Sequence, residues 1–149
     1  SAASDVYKRQ VLDFPDLGLD EAVRQVLGKS SDEQITKAEL AEITELRANS
    51  NSITDLTGIQ NLENLTTLYI YNNQIADVSP LESLTNLTYL QLSSNQITDV
   101  SPLESLTSLR HLYLSRNQIT DISPLASLSG LEYLSIANNY GLTDLSSLE

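Results

Sequence analysis

Residues 95–103 read Asn-Gln-Ile-Thr-Asp-Val-Ser-Pro-Leu, and this stretch decides the fold because the chain repeats it at a fixed interval. The same phrase stands at residues 73–81 and 117–125 with a single substitution each, and looser copies begin at Asn51 and Asn139. The interval is 22 residues. A period of this length indicates a solenoid, in which each repeat forms one coil and buries its apolar face against its neighbours.

The repeat starts at residue 43, and it follows the pattern L-x-x-L-x-L-x-x-N-x-I-x-D-L-x-x-L-x-x-L. This is the pattern of the leucine-rich repeat. Residues 65–86 and 87–108 are identical at 15 of 22 positions, so successive coils should have nearly the same structure. We predict an α/β solenoid of five leucine-rich repeats, the last one truncated, at residues 43–64, 65–86, 87–108, 109–130 and 131–149.

Each part of the repeat has a predicted structural role. Leu-x-Leu forms a short strand of a parallel sheet, with the intervening side chain on the opposite face. Asn95 and its equivalents should bond main-chain groups of their own and the adjacent turn. Ser101 is expected to cap, and Pro102 to start, a 3₁₀ turn on the other side of the coil. Asp99 and its equivalents form an acidic ladder. It would accept main-chain hydrogen bonds in preference to binding calcium, because calcium loops gather several oxygens in one loop.

Residues 11–42 have a different pattern and predict an N-terminal helical cap. Asp16 is suited to begin a helix and Gly28 to end it. Thr36 and Glu39 form a capping box for a second short helix. A cap of this kind covers the apolar end of the first repeat. The apolar positions of the first helix are Leu19, Ala22, Val23, Val26 and Leu27.

Residues 1–10 are expected to be a non-native or disordered leader. Asp5 to Gln10 resembles the translation of a transposon end used to tag sequencing libraries, and an ordinary disordered terminus is the alternative. At the other end, the last repeat stops without a polar cap. We therefore expect the chain to be a fragment, and a monomer that can associate through its uncapped C-terminal end.

Charge and composition exclude several classes of function. The net charge is −12, with 20 acidic and 8 basic residues, which argues against nucleic-acid and anionic membrane partners. The absence of cysteine excludes disulfides and thiolate metal sites. No apolar run approaches the roughly 18 residues needed to span a bilayer, so we predict no membrane insertion. No cofactor-binding motif occurs, and we predict neither a cofactor nor a metal site.

The repeated phrase N-Q-I-T-D-[VI]-S-P-L, the 22-residue period and the helical cap with Phe14-Pro15-Asp16 together resemble the internalin family. These are bacterial cell-surface leucine-rich repeat proteins, and the resemblance covers about residues 11–149. It implies a curved, right-handed solenoid that binds a protein partner on its concave sheet, and it implies an extracellular or cell-surface location. The same repeat class includes intracellular phosphatase-regulatory proteins, and the cap favours the bacterial group.

The candidate binding residues lie on the predicted strands or just past them, where the copies of the repeat differ most. Tyrosine suits protein recognition because it is rigid and amphipathic. The alternative is that tyrosines pack across strands only because they are good strand formers. His111 is the only histidine and lacks partners for catalysis or metal binding, so a ring-stacking contact is expected. The predicted partner-binding residues are Arg47, Tyr69, Tyr71, Tyr89, Gln91, His111, Tyr113, Arg116 and Tyr133.

From the residues and the resemblance together we predict a non-enzymatic module that binds a protein, with a glycan as the second choice, on its concave face. The alternative is an intracellular leucine-rich repeat scaffold of the phosphatase-regulatory type. An enzyme is disfavoured because no nucleophile elbow, zinc motif or paired acid and base occurs in the chain.

Overall fold

The computed structural model describes residues 12–146, so the predicted leader and the last three residues lie outside it. Helix α1 spans Leu17–Leu27 and helix α2 spans Lys37–Leu40. They are followed by five strands, β1 to β5, of three residues each. The strands are Glu45–Arg47, Thr67–Tyr69, Tyr89–Gln91, His111–Tyr113 and Tyr133–Ser135.

The strands form one parallel sheet in the order β1-β2-β3-β4-β5. Each residue pairs with the residue 22 positions further on, as Leu68 does with Leu90, so the repeat period sets the register. The return path of each of the first four coils contains a 3₁₀ turn, at Ile59–Asn61, Ser79–Leu81, Ser101–Ser105 and Ser123–Ser127. The predicted leucine-rich repeat solenoid with a helical cap is therefore confirmed. We call the sheet surface that faces away from the core the concave face.

The core is a column of aliphatic side chains that runs through the coils. Each fully buried Leu, Ile or Val contributes roughly 1.5–3 kcal/mol of transfer free energy, and stacking on both sides is needed to bury all of them. The first coil has Ala48, only 1% exposed, where later coils have a large aliphatic residue. Helix α1 packs against β1 at this end. The buried residues of the third coil are Leu87, Leu90, Leu92, Ile97, Val100, Leu103 and Leu106.

A ladder of buried asparagines fixes the turn that follows each strand. The amide nitrogen of Asn95 lies 3.0 Å from the Leu92 carbonyl oxygen, in its own coil, and 3.2 Å from the Ile70 carbonyl oxygen, in the preceding coil. Its amide oxygen accepts a hydrogen bond from Ile75 N at 3.0 Å. Asn73, Asn117 and Asn139 bond their own and the preceding coil in the same way. The predicted structural role of this column is confirmed.

The turn into each 3₁₀ segment is held by aspartate. The 3₁₀ turn begins at Ser101 itself and Val100 stands in the capping position, so the expected serine cap is wrong. Instead, Asp99 Oδ1 accepts a hydrogen bond from Ser101 N at 2.9 Å, and this bond lowers the pKa of Asp99. The carboxylate therefore bonds the backbone two residues further on, the local pattern that favours aspartate in turns. The aspartate ladder thus accepts main-chain hydrogen bonds, as predicted.

Three contacts seat the helical cap on the first coil. Phe14 is buried against Gly58, where an added Cβ atom would lie 2.7 Å from Phe14 Cδ1. Gly58 has φ +104°, a conformation that glycine adopts readily. Asn51 Nδ2 donates a hydrogen bond to the Gly18 carbonyl oxygen at 3.2 Å. An added Cβ at Gly18 would lie only 2.0 Å from the Asn51 carbonyl oxygen, so helix α1 touches the coil backbone directly.

The third contact is the carboxylate of Asp16. Its Oδ1 accepts a hydrogen bond from Leu19 N at 3.1 Å and so caps α1, as predicted. Its Oδ2 accepts hydrogen bonds from Thr54 N at 2.8 Å and Asp55 N at 3.1 Å in the first coil. One carboxylate therefore joins the start of the helix to the first repeat. Partial burial acts to raise the pKa of Asp16, but the hydrogen bonds together lower it below its ordinary value.

We expect Asp16→Asn to lower the free energy of unfolding at neutral pH by about 1–2 kcal/mol, because its amide group would turn two hydrogens toward two backbone N–H groups. The folded-state pKa is depressed, so the wild-type contribution is present above the unfolded pKa and is lost as the pH falls through the folded pKa. Urea unfolding from neutral to acidic pH measures both effects. Asp13 also has an exposed carboxylate, so Asp13→Asn is the control. An equal decrease in unfolding free energy in the two variants would refute the role of Asp16 in joining α1 to the first coil.

Candidate protein-binding face

The sheet register places the predicted binding residues in columns across the concave face. The first column runs from Glu45 at the cap end, and the second runs from Arg47. Between the two columns, the strand leucines point into the core; those of β1 to β4 are buried, and Leu134 of β5 is half-buried. The first column continues through Thr67, Tyr89, His111 and Tyr133. The second continues through Tyr69, Gln91, Tyr113 and Ser135.

Four tyrosines, Tyr69, Tyr89, Tyr113 and Tyr133, form a continuous chain of ring contacts that we call the aromatic strip. The ring centroids are 5.0 Å apart from Tyr69 to Tyr89, and 5.3 Å apart from Tyr89 to Tyr113. Those of Tyr113 and Tyr133 are 5.0 Å apart. The strip alternates between the two columns and crosses four strands. Tilted rings at these distances attract one another, so the strip is a semi-rigid surface.

Arg47 and His111 extend the aromatic strip. The Arg47 guanidinium carbon lies 4.3 Å above the centre of the Tyr69 ring, and Arg47 Nε lies 2.7 Å from Glu45 Oε1. The His111 ring lies 5.7 Å from that of Tyr89, which confirms the expected ring contact. The Arg47 guanidinium, at the cap end of the strip, thus contacts both an aromatic ring and a carboxylate.

Tyr89 lies at the centre of the aromatic strip, and its hydroxyl group is kept neutral. Partial burial and the neighbouring Tyr113 hydroxyl raise the pKa of Tyr89 to about 12. The phenol therefore stays protonated across the physiological range. Tyr89 thus presents a neutral hydroxyl group at the centre of the strip, although the protein as a whole carries a net charge of −12.

The other predicted residues flank the strip. Gln91 lies in register between Tyr69 and Tyr113, and its Oε1 accepts a hydrogen bond from Ser93 N at 2.9 Å. Tyr71 follows its strand and is 42% exposed. Beside the strip, Arg110 Nη1 pairs with the Glu132 carboxylate at 2.7 Å, as the shared register suggests.

Arg116 lies away from the strip, at the turn edge of the sheet. Its backbone has φ +57°, and it lines a polar cavity of about 430 Å³ that we call the edge cleft. Sequence reasoning missed this cleft, which combines residues from three coils. The available signals were the extra residue at Tyr140-Gly141 and an arginine at a position where other repeats have Ser or Asn. The edge cleft is lined by Asn95, Arg116, Asn117, Gln118, Asn138 and Tyr140.

The cap also contributes to this side of the molecule. Val26, one of the apolar positions of α1, is 48% exposed. With Ala22 and Gln25 it borders a cavity of about 250 Å³, whose other wall is Glu45 and Arg47. The end of helix α1 therefore adjoins the first strand of the concave face.

Within residues 12–146, the side chains of His, Asp and Glu form no group of three or more that is placed to hold a metal ion. No helix in the same range is long and apolar enough to cross a membrane. Candidate ligand contacts on the concave face therefore come from aromatic, amide, hydroxyl and guanidinium groups.

Comparison with known proteins agrees with the class that the coils define. The family described as Leucine Rich repeats (2 copies) matches residues 42–83, 63–105, 85–127 and 107–149. Among curated proteins, none matches the sequence significantly. The match includes every coil of the sheet, so the molecule is a leucine-rich repeat protein.

Matches to solved structures show which family of leucine-rich repeat proteins the chain resembles. An internalin (InlF) from Listeria monocytogenes is 45% identical with a TM-score of 0.89, over 91% of this chain and 40% of that one. Internalin C2 (InlC2) from the same organism is 43% identical with a TM-score of 0.69, over 91% of this chain and 70% of that one. The functional domain of InlJ, also from Listeria monocytogenes, is 28% identical with a TM-score of 0.66, over 95% of this chain and 37% of that one. InlJ includes a cysteine ladder, whereas this chain has no cysteine. The chain belongs to the internalin family.

Proposed function

We propose that this chain is the ligand-binding part of a bacterial surface or secreted protein, and that it binds a protein partner on its concave face without enzymatic activity. The aromatic strip is the observation that carries the proposal. It is a continuous surface of four tyrosine rings across four strands, in a chain whose repeats otherwise differ little. Tyrosine is enriched among the residues that dominate binding energy in protein interfaces.

The shape and charge of the face favour a protein over a small ligand. The strip lies on the outer surface of the parallel sheet, across four strands, and its centre is uncharged. The charged groups near it, Arg47 with Glu45 and Arg110 with Glu132, are paired and exposed. An aromatic centre with a polar rim is the usual arrangement of a protein interface. A glycan remains the second choice for this face.

The matched structures described above are bacterial internalins, which favours a surface or secreted protein over an intracellular phosphatase-regulatory scaffold. The chain spans 40% of the length of the matched InlF chain. Gene sequence upstream and downstream of this segment tests the location. A secretion signal and a wall anchor would support it, and their absence from the full gene would count against it.

Replacing Tyr89 and Tyr113 together by alanine should abolish or weaken partner capture by about ten- to a hundredfold. Both rings are partly exposed, so we expect the melting temperature to fall by only a few degrees. Capture from a panel of purified host and microbial surface proteins, followed by affinity measurement, gives the readout.

The matched control is Glu82→Ala with Glu104→Ala, which removes two exposed side chains at the 3₁₀ turns on the opposite side of the coils. A protein captured by the wild type and the control, but not by the tyrosine variant, is the expected partner. Equal capture by all three forms would refute the concave face as the binding site.

A further inference from the structure

The edge cleft is a second concave feature, and it is separate from the aromatic strip. It lies where the turns of the third, fourth and fifth coils meet, and its volume of about 430 Å³ falls within the range of small-ligand sites. Several of the side chains that line it are polar. Amide groups come from Asn138 and Gln118, a guanidinium from Arg116 and an aromatic ring from Tyr140.

Arg116 differs from the other arginines in the described part of the chain. Arg24 pairs with Asp20 at 2.8 Å, and Arg47 and Arg110 each pair with a glutamate at 2.7 Å. Within residues 12–146, Arg116 has no carboxylate partner, although acidic residues outnumber basic ones 20 to 8. Its guanidinium is therefore available, and this group binds carboxylates in a planar, two-point geometry.

The backbone at Arg116 supports a functional reason for this residue. Each coil has a left-handed residue just before the buried asparagine, and Arg116 has φ +57°. Small residues with short polar side chains tolerate this conformation best, so arginine is an unusual choice here. Side chains of neighbouring coils meet at this position, as Asn72 Nδ2 does with Ser50 Oγ at 2.9 Å. The equivalent residues in the other coils are Ser50, Asn72, Ser94 and Asn138.

The extra residue in the fifth repeat completes the cleft. An added Cβ at Gly141 would lie 2.7 Å from Thr120 Cγ2, so this glycine lets the longer loop lie against the fourth coil. Next to it, Tyr140 is 89% exposed, and its hydroxyl lies 3.4 Å from Asn138 Oδ1. Because nearly the whole Tyr140 ring is exposed, an aromatic surface is free beside the amide side chains of the cleft.

These groups match the chemistry of an acidic sugar. The C–H groups of a sugar ring pack on an aromatic face, and amide side chains both donate to and accept from ring hydroxyls. An unpaired guanidinium adds a preference for a carboxylate. We propose that the edge cleft binds a carboxylate-bearing saccharide, with the ring on Tyr140, the carboxylate on Arg116 and the hydroxyls on Gln118 and Asn138. This proposal does not depend on the function proposed for the concave face.

The probe is free glucuronate, titrated into isotopically labelled protein and followed by NMR. We expect saturable shifts at the Asn138 and Gln118 side-chain amides, with a dissociation constant of about 1 mM. Glucose lacks the carboxylate, and acetate lacks the ring. Both should bind at least tenfold more weakly. If acetate bound as tightly as glucuronate, the cleft would be a simple anion site and the proposal would be overturned. Glucose binding as tightly as glucuronate, or the absence of any shift with glucuronate, would overturn it as well.

Two variants test the assigned roles. Arg116→Asn introduces the residue that the chain uses at the same position in two other coils, so it should keep or raise the melting temperature. It should weaken glucuronate binding at least tenfold, as should Tyr140→Ser. Arg110→Ser is the matched control, because it removes an exposed arginine from the same coil and should leave binding unchanged. Unchanged affinity in either cleft variant would overturn the assignment.

The tyrosine variant of the concave face separates the two proposals. Replacing Tyr89 and Tyr113 by alanine should leave glucuronate binding unchanged, because neither residue lines the edge cleft. If that variant lost glucuronate binding with the fold intact, the sugar would be bound on the concave face and the edge cleft would be refuted.

Discussion

Replacing Asn95 by alanine should lower the free energy of unfolding by about 3–4 kcal/mol. Asn95 is 8% exposed, and its amide serves backbone groups of two coils at once. Alanine leaves the Ile75 N–H without its acceptor and three carbonyl groups without their shared donor. A single buried polar group that loses its partner costs about 1–3 kcal/mol, and here several do. The expected loss is comparable to that of truncating a large hydrophobic core residue to alanine, which costs about 2–5 kcal/mol.

Chemical denaturation of Asn95→Ala beside Gln96→Ala measures this effect. Gln96 is the next residue, its side chain is exposed, and its loss should change the unfolding free energy by no more than about 0.5 kcal/mol. Asn95→Asp adds a second test, since a buried carboxylate facing three carbonyl oxygens favours its protonated form. Its stability should decline as the pH rises. A loss below about 1 kcal/mol in Asn95→Ala would show that water replaces the amide without difficulty.

The second large effect is expected at Gly18, in the first turn of α1. Helix propensity alone predicts that Gly18→Ala stabilises the protein by up to about 1 kcal/mol. The added methyl group would lie 2.0 Å from the Asn51 carbonyl oxygen and 3.1 Å from Ile53 Cγ1. Because one of these atoms belongs to the backbone, the helix must move away from the coil. We expect a net destabilisation of about 3 kcal/mol, near the upper end for overpacked sites.

Gly130→Ala is the matched control for this prediction. A Cβ atom there would meet its nearest neighbour, the Leu109 carbonyl oxygen, at 3.6 Å, which is an ordinary contact. Thermal unfolding should therefore give a large decrease for Gly18→Ala and little change for Gly130→Ala. A higher melting temperature for Gly18→Ala would mean that the cap packs more loosely than described.

The sequence predicts the fold well because one period specifies every contact between coils. Leu90 and its equivalents recur at the interval that sets the sheet register, so a strand cannot slip without exposing its leucine. The aromatic strip follows from the same register, since Tyr89 and Tyr113 must lie on the face opposite the core. Their distances and the raised pKa of Tyr89 depend on side-chain conformations, which a repeat pattern does not specify.

Features outside the period are harder to predict. Val26 fits the helical pattern of apolar positions, but it is 48% exposed, because the pattern does not specify which residues the coil covers. The serine before each proline is a good capping residue by type, yet the 3₁₀ turn begins at the serine itself, and the aspartate two residues earlier accepts a hydrogen bond from its backbone N–H. The edge cleft likewise depends on how the loop at Gly141 packs.

The asparagine ladder also gives the solenoid a direction. Each amide reaches back, so the Asn95 side chain completes the hydrogen bonds of Ile75 and Ile70 in the coil made before its own. Asn51 does the same toward the helix, through the Gly18 carbonyl oxygen. The backbone groups of a coil therefore gain these hydrogen bonds only when the next coil has folded onto it. A ribosome delivers the chain in this same order, so each newly emerged repeat can lock its predecessor in place while synthesis continues.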